Sequence, residues 1–216
     1  MAEQQRVSGF FDSYAADFDA IYGNRHTMVN RLVNKYLRKS MRVRFEKTIA
    51  GCDPIAGRSV VDIGCGPGHF SVELARRGAS HVFGLDFAEA MLDVAREHAQ
   101  AAGVADRCTW AKADFMAYNF TRTYDYAIVM GFMDYVSDPA AVVKKTVSIT
   151  TRRAFFSMPR AGGFLAWQRQ QRYKRRCELY LYTEDQVRKL FKNATDRRVT
   201  IEPIARDMFV TVHIGD

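Results

Sequence analysis

The chain has 216 residues, of which 48% are hydrophobic and 26% charged, and its formal net charge is +8 at pH 7. This is an ordinary composition for a globular protein, and the length is sufficient to bury a core without disulfides or a structural metal. No apolar run reaches the roughly 18 residues of a membrane-spanning helix, and the first residues lack the apolar stretch of a secretory signal. The four cysteines lie far apart, without the spacing of metal ligands, so we expect reduced thiols, no metal site and a cytoplasmic location.

The positive charge is concentrated in two segments. Residues 25–47 contain eight basic side chains and one acidic one, and residues 169–176 contain five basic side chains and no acidic one. The basic residues are Arg25, Arg31, Lys35, Arg38, Lys39, Arg42, Arg44 and Lys47 in the first segment, and Arg169, Arg172, Lys174, Arg175 and Arg176 in the second. Such segments attract anionic substrates, nucleic acids or acidic lipid surfaces, and the solvated face of a helix is an equal alternative for each.

The first 50 residues predict helices. Aromatic and apolar side chains recur at helical spacing over 10–22, and a second amphipathic helix follows, with its apolar face over 29–41 and basic residues opposite.

From residue 59 onward, predicted strands alternate with predicted helices. The strands are 59–63, 81–86, 108–112, 124–130, 154–158, 199–204 and 208–214, and the helices are 67–77, 88–102, 139–150 and 183–194. Thr183 and Gln186 form a capping-box pattern at the start of the last helix. The final two strands are too close in sequence for a helical crossover and should pair antiparallel. The alternation predicts a doubly wound, mainly parallel α/β sheet, in which ligands bind at the carboxyl ends of the strands.

A glycine-rich turn connects the first predicted strand to the following helix. Gly64, Gly66 and Gly68 allow a tight turn and let the backbone approach a ligand closely, and the helix start offers unpaired N–H groups. The dinucleotide-binding pattern has glycine or alanine where this chain has His69, so a nicotinamide or flavin cofactor is disfavoured.

Acidic residues follow the next two predicted strands. Asp86 is placed to accept hydrogen bonds from both ribose hydroxyls of an adenosine ligand, with a helix N-cap as the alternative. Asp114 can accept the adenine amino group, and Phe115 can flank the base. Phe87 and Met91 could line the same slot, although ordinary helix core is nearly as good an interpretation for Met91.

Four segments in this order resemble the motif set of the class I S-adenosylmethionine (SAM)-dependent methyltransferases, over residues 58–158. They are Asp62-Ile63-Gly64-Cys65-Gly66-Pro67-Gly68, Gly84-Leu85-Asp86, Ala113-Asp114-Phe115 and Tyr124-Asp125-Tyr126-Ala127-Ile128-Val129. The resemblance implies a Rossmann-like sheet of seven strands with the last one antiparallel, within a single domain 1–216 made of an N-terminal helical cap, 1–50, and a core, 58–216. It implies SAM as the cofactor, with Asp62 among the residues that bind it. The implied contacts are Gly64, Gly66 and Gly68 at the methionine part, Asp86 at the ribose, Asp114 and Phe115 at the adenine, and Met130 or Gly131 near the sulfonium.

The N-terminal segment is similar to the cap helix of many small-molecule members of this family. By that similarity Tyr14 and Tyr22 would close over the cofactor, and plain helix packing is an equal alternative. The layout also resembles, more loosely, that of magnesium-protoporphyrin methyltransferases, including the segment Tyr180-Leu181-Tyr182-Thr183-Glu184 before the last helix.

The acceptor side of the site is predicted from the loops after the fourth and fifth strands. His26, Tyr135, Arg160 and Trp167 are the candidate substrate-binding residues, and Arg160 or the 169–176 cluster would recognise an anionic group. His69, Asp134 and His213 are further titratable groups, but no catalytic residue is assigned because none stands in a recognisable pair.

The predicted function is SAM-dependent methyl transfer by direct displacement to a small, anionic acceptor. Two alternatives use the basic segments: an RNA or protein methyltransferase, whose binding would fall steeply with salt, and a methyltransferase of a lipid-linked acceptor at an acidic membrane surface. The loop after the fourth strand lacks the Asn/Asp-Pro-Pro-aromatic tetrad of many enzymes that methylate DNA base amines. A binding module that holds the cofactor without transferring methyl is a third alternative.

Overall fold

The computed structural model describes residues 41–162, 179–204 and 206–215. Residues 41–51 are helical and form α1. The remaining elements in chain order are β1 (Ser59–Ile63), α2 (His69–Arg76), β2 (His81–Asp86), α3 (Glu89–Ala101), β3 (Cys108–Lys112), β4 (Tyr124–Val129), α4 (Pro139–Ser148), β5 (Thr150–Pro159), α5 (Glu184–Ala194), β6 (Arg198–Ile204) and β7 (Asp207–His213), with short 3-10 helices at Ala105–Arg107 and Met133–Tyr135.

The strands form one seven-stranded sheet in the order β3-β2-β1-β4-β5-β7-β6. All neighbouring pairs are parallel except that β7 runs antiparallel to both β5 and β6. The predicted mainly parallel, Rossmann-like sheet with an antiparallel last strand is therefore confirmed. The carboxyl ends of β1 to β5 lie along one edge, which is called the carboxyl edge below.

The central strands β1 and β4 are mostly apolar because both faces of the sheet are covered. In β1, Val61 and Ile63 belong to one buried cluster and Val60 belongs to the other, on the opposite face. Adjacent residues of a strand point to opposite faces, so a strand buried on both sides lacks polar alternation. This is why β1 could be recognised in the sequence as a short β-branched run.

Two predicted boundaries are wrong for local reasons. The helix predicted from Pro67 begins at His69, because Gly68 has φ +76° and serves as the N-cap residue. Strand β5 begins at Thr150, four residues before its predicted start, and pairs there with the beginning of β4. The capping box at α5 is confirmed: the Gln186 N–H donates to Thr183 Oγ1 (3.3 Å), and the Thr183 N–H donates to Gln186 Oε1 (2.8 Å).

Helix α1 is attached to the sheet by basic residues of the first charged segment. Arg44 lies 3.7 Å from Asp207 and Lys47 lies 2.7 Å from Glu202, so two strands supply acidic partners. Arg42 pairs within the helix, 2.6 Å from Glu46.

Several predictions fall outside the described residues. These are the helix over 10–22, the second helix up to residue 40, and the basic cluster 169–176. Among the helices of the described ranges, none is both long and apolar enough to cross a membrane.

Candidate functional site

The glycine-rich loop is closed against the end of β2 by backbone hydrogen bonds. The N–H groups of Gly64 and Cys65 both donate to the Leu85 carbonyl, at 2.8 and 3.1 Å. The Gly68 N–H donates back to the Cys65 carbonyl at 3.0 Å, which makes a tight turn into α2. The loop therefore lies at the carboxyl edge between β1 and β2, as the motif predicted.

The three loop glycines all have positive φ, but the space around their missing Cβ atoms differs. Their φ angles are +67° at Gly64, +50° at Gly66 and +76° at Gly68, a region that side chains with a Cβ rarely adopt. A Cβ at Gly64 would lie 2.7 Å from the Phe132 ring, and a Cβ at Gly68 would lie 2.8 Å from the Trp110 ring. At Gly66, by contrast, none of the described atoms lies within 4 Å of that position. Gly66 is thus the loop residue beside which the described part of the chain leaves open space.

Asp86 joins three segments of the carboxyl edge. Its Oδ2 accepts from the Gly66 N–H and its Oδ1 from the Ala88 N–H, both at 2.9 Å. Its own carbonyl accepts from the Ala113 N–H at 2.9 Å, which brings the end of β3 alongside. The side chain is not a helix N-cap, since Ala88 holds that position in α3. Asp86 instead organises the glycine loop and stays close to the open backbone at Gly66.

The predicted adenine-side residues differ in accessibility. Asp114 lies at the end of β3, and its Oδ1 accepts from the Met116 N–H at 2.9 Å. Phe87 is half-buried, but Met91 and Phe115 are only 3% and 1% exposed. Met91 is buried near the start of α3, and its contact with a ligand remains a prediction. Contact of Phe115 with a ligand remains a prediction, and it requires the ring to be uncovered.

Lys145 secures the loop after β3. Its ammonium group donates to the carbonyls of Met116 (2.9 Å) and Tyr118 (2.7 Å) and lies 5.2 Å from the Phe115 ring centre. Burial lowers the pKa of Lys145 below its usual value.

Asp62 is buried beneath the glycine loop. Its side chain is 2% exposed and accepts from the Ser71 hydroxyl at 2.7 Å, which ties the end of β1 to the first turns of α2. Burial is the main cause that raises the pKa of Asp62 to about 7, against the opposing effect of the Ser71 hydrogen bond. Asp62 therefore stabilises the glycine loop by joining the two elements on either side of it, β1 and α2.

We expect Asp62→Asn to change how stability depends on pH. A carboxyl with a raised folded-state pKa ionises first in the unfolded chain, so it lowers stability progressively as pH rises from about 4 to about 7, by roughly 1.4 kcal/mol per unit. An amide can still accept the Ser71 hydrogen bond but carries no charge. The difference in unfolding free energy between variant and wild type should grow over this range and level off above it, as measured by urea unfolding.

Asp93→Asn, on the exposed face of α3, is the control for that measurement. Parallel pH curves for Asp62→Asn and the wild type would contradict the raised pKa.

The predicted cofactor and acceptor residues of the loops after β4 and β5 lie at the carboxyl edge where the structure describes them. Gly131 follows β4 with φ +73°, and no atom of the described ranges lies within 4 Å of the Cβ that it lacks. Met130 is partly buried beside it, and Tyr135 belongs to the 3-10 helix that follows. Arg160 is exposed directly after β5, and its backbone forms an isolated parallel β-bridge with Tyr182. The other candidates, Tyr14, Tyr22, His26 and Trp167, lie outside the described residues.

The remaining titratable candidates, His69, Asp134 and His213, lie in three different parts of the fold. His69 stacks on His98, with ring centres 5.5 Å apart, and the latter ring also approaches the Pro67 carbonyl at 2.9 Å. Asp134 is 4% exposed within the 3-10 helix after β4. His213 pairs in register with Arg153 near the start of β5, at the opposite edge from the glycine loop. His213 therefore lies away from the proposed site at the carboxyl edge.

Four side chains that shape the site were not identified from the sequence. They are Ser71, Trp110, Lys145 and Ser157, and each acts through residues distant in the chain. The one usable signal was Gly84, since a glycine inside a buried strand indicates close approach of another group. That group is the Trp110 indole, opposite Gly84 in the β2–β3 register.

Comparison with known proteins agrees with this arrangement. Residues 60–152 match the family model for a methyltransferase domain. Ubiquinone biosynthesis O-methyltransferase of Neisseria meningitidis serogroup C (strain 053442) is 36% identical over 102 residues, covering 47% of this chain and 43% of the relative. The protein of the same name from Pseudomonas aeruginosa (strain LESB58) is 41% identical over 90 residues, covering 42% of this chain and 38% of the relative. The chain thus spans less than half the length of these curated relatives.

Among solved structures, magnesium protoporphyrin IX methyltransferase from Synechocystis PCC 6803 with bound S-adenosylhomocysteine (SAH) superposes with a TM-score of 0.78. The two sequences are 21% identical, and the alignment covers 98% of this chain and 100% of the other. At this identity the likeness concerns the fold. Residues 60–152 thus match a methyltransferase domain, and the chain shares the fold of the magnesium protoporphyrin IX methyltransferase.

Proposed function

We propose that this chain is a SAM-dependent methyltransferase that transfers a methyl group to an oxygen of a small acceptor molecule. One arrangement supports the proposal above all. The Asp86 carboxylate holds the glycine loop through the Gly66 N–H, directly beside backbone that is open to a ligand. A carboxylate in this position can accept hydrogen bonds from the two hydroxyls of a ribose. The names of the curated relatives favour oxygen as the methylated atom.

The residues of the carboxyl edge fit such a cofactor. Among the residues that the structure describes, no atom occupies the space that a Cβ at Gly66 or Gly131 would fill, so both positions leave room against bare backbone. The residues proposed to bind SAM are Tyr14, Tyr22, Asp62, Gly64, Gly66, Gly68, Asp86, Phe87, Met91, Asp114, Phe115 and Met130. SAM, when bound, supplies a methyl group on a positively charged sulfur, which an acceptor oxygen takes by direct displacement. The residues of this chain then contribute alignment and exclusion of water.

The acceptor is proposed to be small and anionic. Arg160 is exposed at the end of β5 and Tyr135 follows β4, so a charged donor and a phenol flank the same edge. His26 and Trp167 complete the proposed acceptor site. If the acceptor oxygen carries a proton, that proton must be lost on methylation. Tyr135 is the residue best placed to contact the acceptor.

The ion pairs of α1 argue against a polyanion partner for the part of the first basic segment that the structure describes, residues 41–47. Arg42, Arg44 and Lys47 all have acidic partners within the protein. Charges engaged in this way are less able to neutralise phosphates. An RNA or membrane-bound acceptor is accordingly the second choice, and it predicts binding that weakens steeply with added salt.

We also propose that the chain forms a single domain in which residues 1–50 cap the carboxyl edge, and that it acts in the cytoplasm. Closure of such a cap would exclude water from the reacting groups.

Calorimetric titration of the full chain with SAM and SAH tests the proposal. We expect micromolar binding of both at one site per chain and no binding of NAD, which the residue at position 69 disfavours. Transfer of a labelled methyl group from SAM to phenols with and without a carboxylate would then test the acceptor class. Absence of SAM and SAH binding in the wild type would contradict the proposed function.

A further inference from the structure

A buried polar cluster lies behind the loop that follows β4. It consists of Arg44 on α1, Ser157 on β5 and Asp207 on β7, and is called the Arg44 cluster. Ser157 Oγ accepts from the Gly131 N–H at 2.8 Å and from Arg44 Nη1 at 3.2 Å. The same guanidinium nitrogen is 3.7 Å from Asp207 Oδ2. Ser157 and Asp207 are 2% and 3% exposed, so the cluster is part of the interior.

The cluster fixes the orientation of one peptide group. A trans peptide is planar, with its C=O and N–H pointing in opposite directions. Because the Gly131 N–H points to Ser157, the Met130 carbonyl points away from it. Gly131 has φ +73° and, as a glycine, has no side chain that could restrain the orientation of this peptide. The Ser157 hydrogen bond supplies that restraint.

This peptide borders the glycine loop. Phe132, the next residue, lies against Gly64, so closely that a Cβ there would be 2.7 Å from its ring. Strands β1 and β4 are neighbours, and their ends bring the two loops together. A shift of the Gly131 peptide would therefore displace atoms next to the glycine loop, where the methionine part of the cofactor is proposed to bind.

A purely structural role explains the cluster less well. Buried ion pairs contribute little net stability compared with apolar residues of similar volume, because both charges must be desolvated. Polar groups are better than apolar ones at fixing direction, since hydrogen bonds are directional. The serine oxygen has two lone pairs, which suit its two donors.

We propose that Arg44 and Ser157 are positioning residues for the methyl-donor half of the site. Arg44 holds the Ser157 hydroxyl, and Ser157 holds the Gly131 peptide with the Met130 carbonyl turned toward the bound cofactor. This inference rests on the proposed function for the identity of the ligand. It also gives α1 a direct connection to the site.

The first test is Ser157→Ala, with Thr150→Val as the matched control. Thr150 lies on the same strand at the opposite edge, and its buried hydroxyl donates to the Thr146 carbonyl at 2.7 Å. Ser157→Ala removes the two hydrogen bonds that Ser157 Oγ accepts, and Thr150→Val removes the one that the Thr150 hydroxyl donates, so both variants delete the hydrogen bonding of a buried β5 hydroxyl. We expect the protection of the Gly131 amide against hydrogen exchange, followed by NMR, and the SAH affinity measured by calorimetry to fall about ten-fold in Ser157→Ala only.

Two further variants separate the hydroxyl from the packing. Ser157→Thr retains the hydroxyl and should keep Gly131 protected. Arg44→Met combined with Asp207→Asn removes both charges, so no lone charge is left buried, and should weaken SAH binding in the same direction as Ser157→Ala.

The outcomes are distinguishable. If the wild type binds SAH, and Ser157→Ala binds it as tightly as Thr150→Val does, the positioning role is overturned and the proposed function stands. A protected Gly131 amide in Ser157→Ala would overturn it as well, whatever the ligand. Absence of SAH binding in the wild type would refute the proposed function, while the exchange measurement would still report whether Ser157 holds the peptide.

Discussion

Asp86→Ala should reduce SAM affinity on the order of 100-fold, because two hydrogen bonds between ribose hydroxyls and a carboxylate would be lost. The Gly66 and Ala88 N–H groups would also lose their acceptor, so the glycine loop should loosen. Both effects act in the same direction. The measurement is calorimetric titration with SAM at a temperature where near-ultraviolet circular dichroism shows that the variant is folded.

Asp125→Ala is the matched control for this loss. Asp125 also accepts a backbone N–H between neighbouring strands, that of Ser59 at 2.9 Å, but at the opposite edge of the sheet. It should lower thermal stability without affecting SAM binding. Equal affinity in Asp86→Ala and Asp125→Ala would remove the ribose role of Asp86. Asp86→Asn, which retains one acceptor oxygen, should lie between the alanine variant and the wild type.

Gly66→Ala should abolish most SAM binding while costing little more stability than the same change at a remote glycine. Gly66 and Gly103 both have positive φ, +50° and +68°, and neither has an atom of the described chain within 4 Å of the missing Cβ. Each alanine should therefore cost about 1–2 kcal/mol of backbone strain. Only at Gly66 would the methyl group also enter the space proposed for the ligand.

The comparison of these two alanine variants isolates that difference. Thermal unfolding should give similar decreases in Tm for both, and calorimetry should show a loss of SAM affinity of at least about ten-fold for Gly66→Ala alone. If Gly66→Ala binds SAM as tightly as Gly103→Ala does, the open space at Gly66 is not where the cofactor lies.

The fold was predictable because its core strands carry a local signal. The predicted bounds of β1, β2 and β3 agree with the structure. In β1 and β2 the signal is a short, mostly apolar run bounded by polar residues and glycines, whereas β3 is a half-buried edge strand. The start of β5 was missed because its first residues include charged side chains. Arg153 nevertheless fits into the sheet, since its guanidinium donates to the Gly51 carbonyl of α1 at 2.9 Å. That partner is 102 positions away and leaves no trace in a short window of sequence.

The same limit applies to the candidate site. Asp86 and the loop glycines could be identified because strand ends and tight turns have recognisable residues. The Ser157 hydroxyl could not, because its partners are 26 and 113 positions away in the chain. Long-range polar contacts of this kind follow from the topology of the sheet, and a pattern of residue types carries no information about them.

The packing of Trp110 against Gly84 has a consequence for how this domain can vary. A Cβ at position 84 would overlap the indole ring, and the same ring closes over Gly68 at the start of α2. Neither glycine can gain a side chain while the tryptophan is present. In related enzymes we therefore expect positions 84 and 110 to change together, with a larger residue in β2 wherever β3 carries a smaller one. Such paired exchange would preserve the spacing between the two strands and with it the placement of Asp86.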